Sequence, residues 1–154
     1  LLPAGVSRVL QRRFPHAKVT ELADLHADDR KLWLASPDRK GACPGVAIGH
    51  FEYPDRLSYA VLLIRRHRGK TYNTLVLASQ SGRKQWQLHV LKKEWLAEPF
   101  PTVVWAMPPG RYDNWDTTKR VRITMDGIVN EGIESWTVMY YWWRGRWRTI
   151  QLSG

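Results

Sequence analysis

SYAVLLIRRHRGKTYNTLVLA, residues 58–78, decides the fold. Ser58 to Arg66 and Thr71 to Ala78 are rich in β-branched, Leu and aromatic residues, and the His67 to Lys70 piece between them is short, basic and contains Gly69. Two strand-length apolar runs with so short a join read as a hairpin, because only antiparallel neighbours can be linked this tightly. Ala60 to Ile64, the longest strongly apolar stretch, is strand-sized and far shorter than the roughly 18 residues needed to span a membrane.

Val46 to Phe51 on the N-terminal side, and Lys84 to Leu91 and Thr102 to Met107 on the other, share this composition and are bounded by Gly, Pro, Asn or Ser. Short connections at Gln80 to Gly82, Asp126-Gly127 and Arg144-Gly145 predict further hairpins and hence a meander. Ahead of them, Leu2 to Phe14 places Val6, Val9, Leu10 and Phe14 on one helical stripe with Arg8, Arg12 and Arg13 off it; Pro3 suits the first turn and Pro15 ends the segment. Lys18 to Leu22 reads as a short strand. His26 to Ala35 reads as a short helix opened by Asp28 and Asp29, with Leu32 and Trp33 facing inward. The expected fold is α+β: a single domain, 1–154, in which an N-terminal helix packs on a predominantly antiparallel, meander-type β-sheet of seven or more strands.

The 154 residues include 24 Lys and Arg against 14 Asp and Glu, a formal charge of +10 that attracts anionic partners. The basic residues come in scattered pairs (Arg12-Arg13, Arg65-Arg66, Arg83-Lys84, Lys92-Lys93, Lys119-Arg120) rather than one block, a pattern that also fits a solvated, solubilising face. Cys43 is the single cysteine, so neither an internal disulfide nor a Cys-based metal pair can form. The first residue is Leu1 rather than Met, which permits a removed leader and a periplasmic or secreted location.

Gly49-His50-Phe51-Glu52-Tyr53-Pro54-Asp55-Arg56-Leu57-Ser58-Tyr59-Ala60, followed by Val61-Leu62-Leu63-Ile64, resembles an FG-GAP repeat of the integrin-α type. With Arg12-Arg13-Phe14-Pro15, Cys43-Pro44-Gly45 and the Tyr141-Trp142-Trp143-Arg144-Gly145-Arg146-Trp147 stretch, the chain looks like small secreted bacterial proteins of unknown function that contain one such repeat. The resemblance implies a strand-loop-strand unit with Phe51, Tyr59 and Leu62 in the core. It also implies a role such as that of a periplasmic inhibitor or immunity protein acting on a cell-wall hydrolase. In that family the loop binds calcium. Here its ligand positions hold His50, Glu52, Pro54 and Ser58, too few carboxylates for an ion that takes six to eight oxygens. No metal is expected.

His16, His26, His50, His67 and His89 lie in separate segments without metal-ligand spacing, Cys43 lacks a helix N-terminus to favour a thiolate, and no nucleophile elbow or phosphate loop is present. Asp113 with Asp116, or Asp55 with Glu52, could serve as a hydrolase carboxylate pair, although acidic residues in turns mostly bond local amides. The densest chemistry is aromatic and cationic. With Arg144-Gly145 as a two-residue turn, Trp143 faces Arg146, Trp142 faces Trp147 and Tyr141 faces Arg148. One face then carries Trp136, Val138, Tyr140, Trp142 and Trp147 as core, and the other Met139, Tyr141, Trp143, Arg146, Arg148 and Ile150, partly open to solvent. Arg146 over Trp143 and Arg148 over Tyr141 would stack as cation–π pairs. The Pro108 to Asp116 stretch reads as a long loop bearing Arg111, Tyr112 and Trp115.

The candidate binding residues are therefore Tyr141, Trp143, Arg146, Arg148, Arg111, Tyr112 and Trp115, with no catalytic residue, cofactor or metal. The expected function is that of an exported, non-enzymatic protein that holds a protein partner. The alternatives are a basic module binding a polyanion (nucleic acid, anionic glycan or lipid) and a carboxylate-dependent hydrolase.

Overall fold

The computed structural model describes residues 2–39, 41–82, 84–94 and 101–154. The 58–78 stretch forms strands β3 (Arg56–His67) and β4 (Lys70–Gln80), paired antiparallel from Tyr59 opposite Ala78 to His67 opposite Lys70. Arg68 and Gly69 make the turn with φ of 51° and 75°. That left-handed geometry matches the twist of the flanking strands, and Gly69 adopts it without strain.

Around this hairpin stand β1 (Lys18–Val19), β2 (Val46–Tyr53) and β5 (Trp86–Lys92). β5 pairs with β4, while β1 and β2 both pair with β3, at Ile64 and Leu63 and at Val61 to Arg56 respectively. A second antiparallel sheet has the order β11 (Arg146–Ser153), β10 (Trp136–Trp143), β9 (Gly127–Gly132), β6 (Val103–Met107). A third piece is the hairpin β7 (Gly110–Asp113) with β8 (Arg120–Ile123). The helices are α1 (Ala4–Arg13) and α2 (Ala27–Ala35).

The apolar run of β3 explains the stacking of these pieces. Side chains alternate across a strand, so Ala60 and Leu62 point to one face and Val61 and Leu63 to the other. The first pair joins Ala47, Phe51, Leu75, Leu77, Val104, Ile128 and Tyr140 in a core between the two sheets. The second packs with Val76 and Ala78 against Val6 and Leu10 of α1. The far face of the second sheet is apolar as well: Val129, Met139, Tyr141 and Ile150 are covered by Tyr112, Val121 and Ile123 of the β7–β8 hairpin. From α1 to that hairpin the chain is a sandwich with both outer faces capped. The two sheets meet at a corner where the Val104 amide of β6 donates to the Pro44 carbonyl, 2.8 Å away, just before β2.

Several sequence expectations change. The α+β assignment and the single meander give way to a mostly β architecture, 52% strand against 17% helix, divided among three antiparallel sheets. One helix cannot cover two apolar sheet faces, so a second sheet does. Asp126-Gly127 is no hairpin turn, since β8 pairs with β7 while β9 pairs with β6 and β10. Instead the Asp126 carboxylate accepts from the His50 amide at 2.8 Å, tying the start of β9 to β2. Half of the Pro108 to Asp116 loop is strand β7. Lys18 to Leu22 shortens to two residues of strand. In α2, Trp33 is buried against Leu25 and Val103, but Leu32 faces solvent. Phe51 and Leu62 are fully buried, while Tyr59 is half-buried edge-to-face with Trp86.

Candidate functional site

The final hairpin has the register read from its sequence: Trp143 opposite Arg146, Trp142 opposite Trp147, Tyr141 opposite Arg148. Arg144 and Gly145 form the turn with φ of 49° and 77°. Trp142 and Trp147 pack edge-to-face, 5.4 Å apart, on the side turned toward the first sheet. On the other side Tyr141 is buried in the cluster beneath the β7–β8 hairpin, so it is a core residue rather than a surface contact. The guanidinium over Trp143 is that of Arg144, at 5.4 Å, from the turn rather than from the opposite strand. Trp143 is half-buried, and Arg146 and Arg148 are exposed.

The β7–β8 hairpin lies on this same side. Tyr112 and Val121, opposite each other, point inward to the cluster containing Tyr141 and Trp143. The Tyr112 hydroxyl donates to the Pro108 carbonyl, and burial raises its pKa with a smaller contribution from Asp126. On the outward face Arg111 stands opposite Arg122, and Asp113 opposite Arg120. Asp113 and Arg120 are ion-paired at 2.6 Å, and that hydrogen bond holds the Asp113 carboxyl below its ordinary range. Asp113 is therefore ill suited to act as a hydrolase acid. Trp115 is 58% exposed, and its amide donates to the Gln151 carbonyl of β11 at 2.8 Å.

Thus Tyr112, Tyr141 and Trp143 converge in one cluster, Arg111, Arg146 and Arg148 lie on the same side of the second sheet, and Trp115 sits beside the end of β11. Sequence reasoning missed Arg122 and Arg144. The signal for Arg122 was the alternation Arg120-Val121-Arg122-Ile123, a strand pattern with arginines on one face. Among the described residues the side chains of Arg111, Arg122, Arg146 and Arg148 have no hydrogen bond, ion pair or ring contact.

A second constellation was invisible in the sequence. Arg39 packs against two indoles, its Cζ 5.1 Å from the Trp33 ring and 4.7 Å from the Trp105 ring. Its Nη2 donates to Glu131 Oε2 at 3.0 Å, and the Trp105 indole N–H donates to the same oxygen at 2.8 Å. This cluster heads a groove of about 760 Å³ whose walls come from β2 (Val46 to Ile48) and β6 (Val104 to Ala106). Cys43, half-exposed with its thiol 3.4 Å from the Thr20 carbonyl, also lines the groove.

Of the other carboxylates, Glu52 is half-buried, and burial raises its pKa against the opposing effects of the Ser79 hydroxyl, His89 and Arg56. Among the described residues its Oε1 is buried without a hydrogen-bond partner, as are Ser58 Oγ and Arg56 Nε nearby. Asp55 is turned to solvent beside Arg56. Among the described residues no three His, Cys, Asp or Glu side chains converge as metal ligands, and no helix is long and apolar enough to cross a membrane. No family model, curated protein or solved structure matches the chain.

Proposed function

We propose that this chain is a non-catalytic binding protein that holds the acidic surface of a partner protein against the outer face of the β7–β8 hairpin and the adjoining strand β11. The observation that carries this reading is the arginine pair Arg111–Arg122, directly opposed and, among the described residues, without a carboxylate partner. Like charges directly opposed in a sheet are destabilising, and an anionic partner turns that cost into binding. Arg146 and Arg148 extend the charge, while Trp143 and Trp115 supply the aromatic surface that, with Arg, is enriched at interface hot spots. A periplasmic inhibitor or immunity protein facing an acidic enzyme is a role that fits such a surface. The net charge of +10 favours a second reading, a polyanion-binding module.

Binding of poly-glutamate and of a single-stranded oligonucleotide, each followed against salt, tests the two readings. The protein-partner reading expects saturable binding of poly-glutamate that is lost in the double variant Arg111→Glu/Arg122→Glu. Tighter binding of the oligonucleotide, falling steeply between about 50 and about 200 mM salt, would replace the protein partner with a polyanion. Binding of neither probe at low salt would remove the outer face from consideration.

A further inference from the structure

We infer that the groove between β2 and β6 is a binding site for an aliphatic monocarboxylate, with the carboxylate held by Arg39 and the chain laid along the apolar walls. The site is separate from the outer face of β7–β8. Its volume of about 760 Å³ lies within the range usual for small-molecule sites, and its lining has their character: mostly apolar walls with few polar groups. Val46, Ile48, Val104 and Ala106 supply aliphatic surface from the two strands, and Ile48 is 46% exposed although it sits on a sheet strand.

The head of the groove dictates the ligand's charge. The Trp33 and Trp105 rings both pack against the Arg39 guanidinium, 5.1 and 4.7 Å from its Cζ, which leaves its N–H groups as the part that meets a ligand. A planar carboxylate binds a guanidinium in the guanidinium plane through N–H groups. One Arg39 nitrogen, Nη2, donates to Glu131, whereas Nε and Nη1 have no hydrogen-bond partner among the described residues and are not sealed from solvent. Glu131 accepts both the Arg39 and the Trp105 donors on Oε2, which fixes the guanidinium in place without exhausting its donors. Asp38 also lines the groove and limits the site to a single carboxylate.

The probe is decanoate, below its micellar concentration, compared with decanol. Decanoate should bind saturably and at least about tenfold more tightly than decanol, a preference of about 1.4 kcal/mol. Arg39→Lys should erase that preference, because an ammonium lacks the planar fork. If Arg39→Lys unfolds the protein, Ile48→Glu decides instead: placed on an exposed position of the wall, it should leave the melting temperature unchanged and weaken decanoate binding by repulsion. Cys43 supplies a local readout as the single cysteine in the sequence: alkylation of its thiol by iodoacetamide should slow severalfold with bound decanoate. No saturable binding at millimolar decanoate, equal affinity for decanol, or binding that leaves Cys43 alkylation unchanged would each overturn the proposal.

Discussion

Arg111 on β7 lies directly opposite Arg122 on β8, placing two guanidiniums, unpaired among the described residues, on the exposed face of the outermost hairpin. Opposed like charges cost a sheet roughly 0.2 to 1 kcal/mol. Arg122→Thr should therefore raise stability by about that amount in denaturant titration while weakening poly-glutamate binding. Opposite signs in the two measurements identify a residue kept for binding; a loss of stability would show that Arg122 supports the hairpin instead.

On the final hairpin, stability and binding should separate along one face. Tyr141→Ala removes a buried ring and should cost roughly 3 to 5 kcal/mol, as large aromatic truncations in cores do. Arg146→Ala, exposed and without an ion pair, should change stability by no more than about 0.5 kcal/mol. It should nevertheless weaken poly-glutamate binding. Paired equilibrium unfolding and titration calorimetry give both numbers for each variant.

Leu62 sits with no exposed surface between the two sheets. Leu62→Ala should cost roughly 2 to 5 kcal/mol through lost transfer energy and the residual cavity. A measured loss under about 1 kcal/mol would mean that the sheets close over the gap, and that the inter-sheet core is looser than its burial implies.

Glu52 makes the pH dependence specific. Its pKa is raised above the ordinary 4.5, chiefly by burial, so the folded state binds this proton more tightly than the unfolded one. The stabilising contribution is complete below 4.5 and is lost as pH rises through the folded value, above which the half-buried carboxylate is ionised. Glu52→Gln should therefore raise the melting temperature at about pH 7 and leave it nearly unchanged at about pH 4. An equal shift at both values would trace the effect to packing rather than to charge.

Glu52, Pro54 and Ser58 also occupy the positions at which the resembling repeats place calcium ligands. A specific site would stabilise the fold by mass action. Millimolar calcium and excess chelator should give the same melting temperature, and a rise of several degrees with calcium would assign the β2–β3 loop a metal.

The strands were legible because their signals are local. A short basic join with Gly69 suffices to pair β3 with β4, and a period of two about a two-residue turn suffices to register β10 on β11, with no knowledge of the rest of the chain. The unbroken Val61-Leu62-Leu63-Ile64 run likewise implied that Leu62 is buried. It could not say what lay on each face, and the α+β assignment failed for that reason, because a helix and a second sheet satisfy the same apolar surface equally well. Tyr141 was misplaced on the same account: alternation put it on a face with Arg148, and only the β7–β8 hairpin packing there made that face a core. The Arg39–Glu131 pair joins residues 92 positions apart through two indoles on different elements. Sequence alone determined the strands and the excess of positive charge; the tertiary structure decided which arginines find a carboxylate and which face solvent without one, because that pairing depends on distances across packed layers that no local pattern encodes.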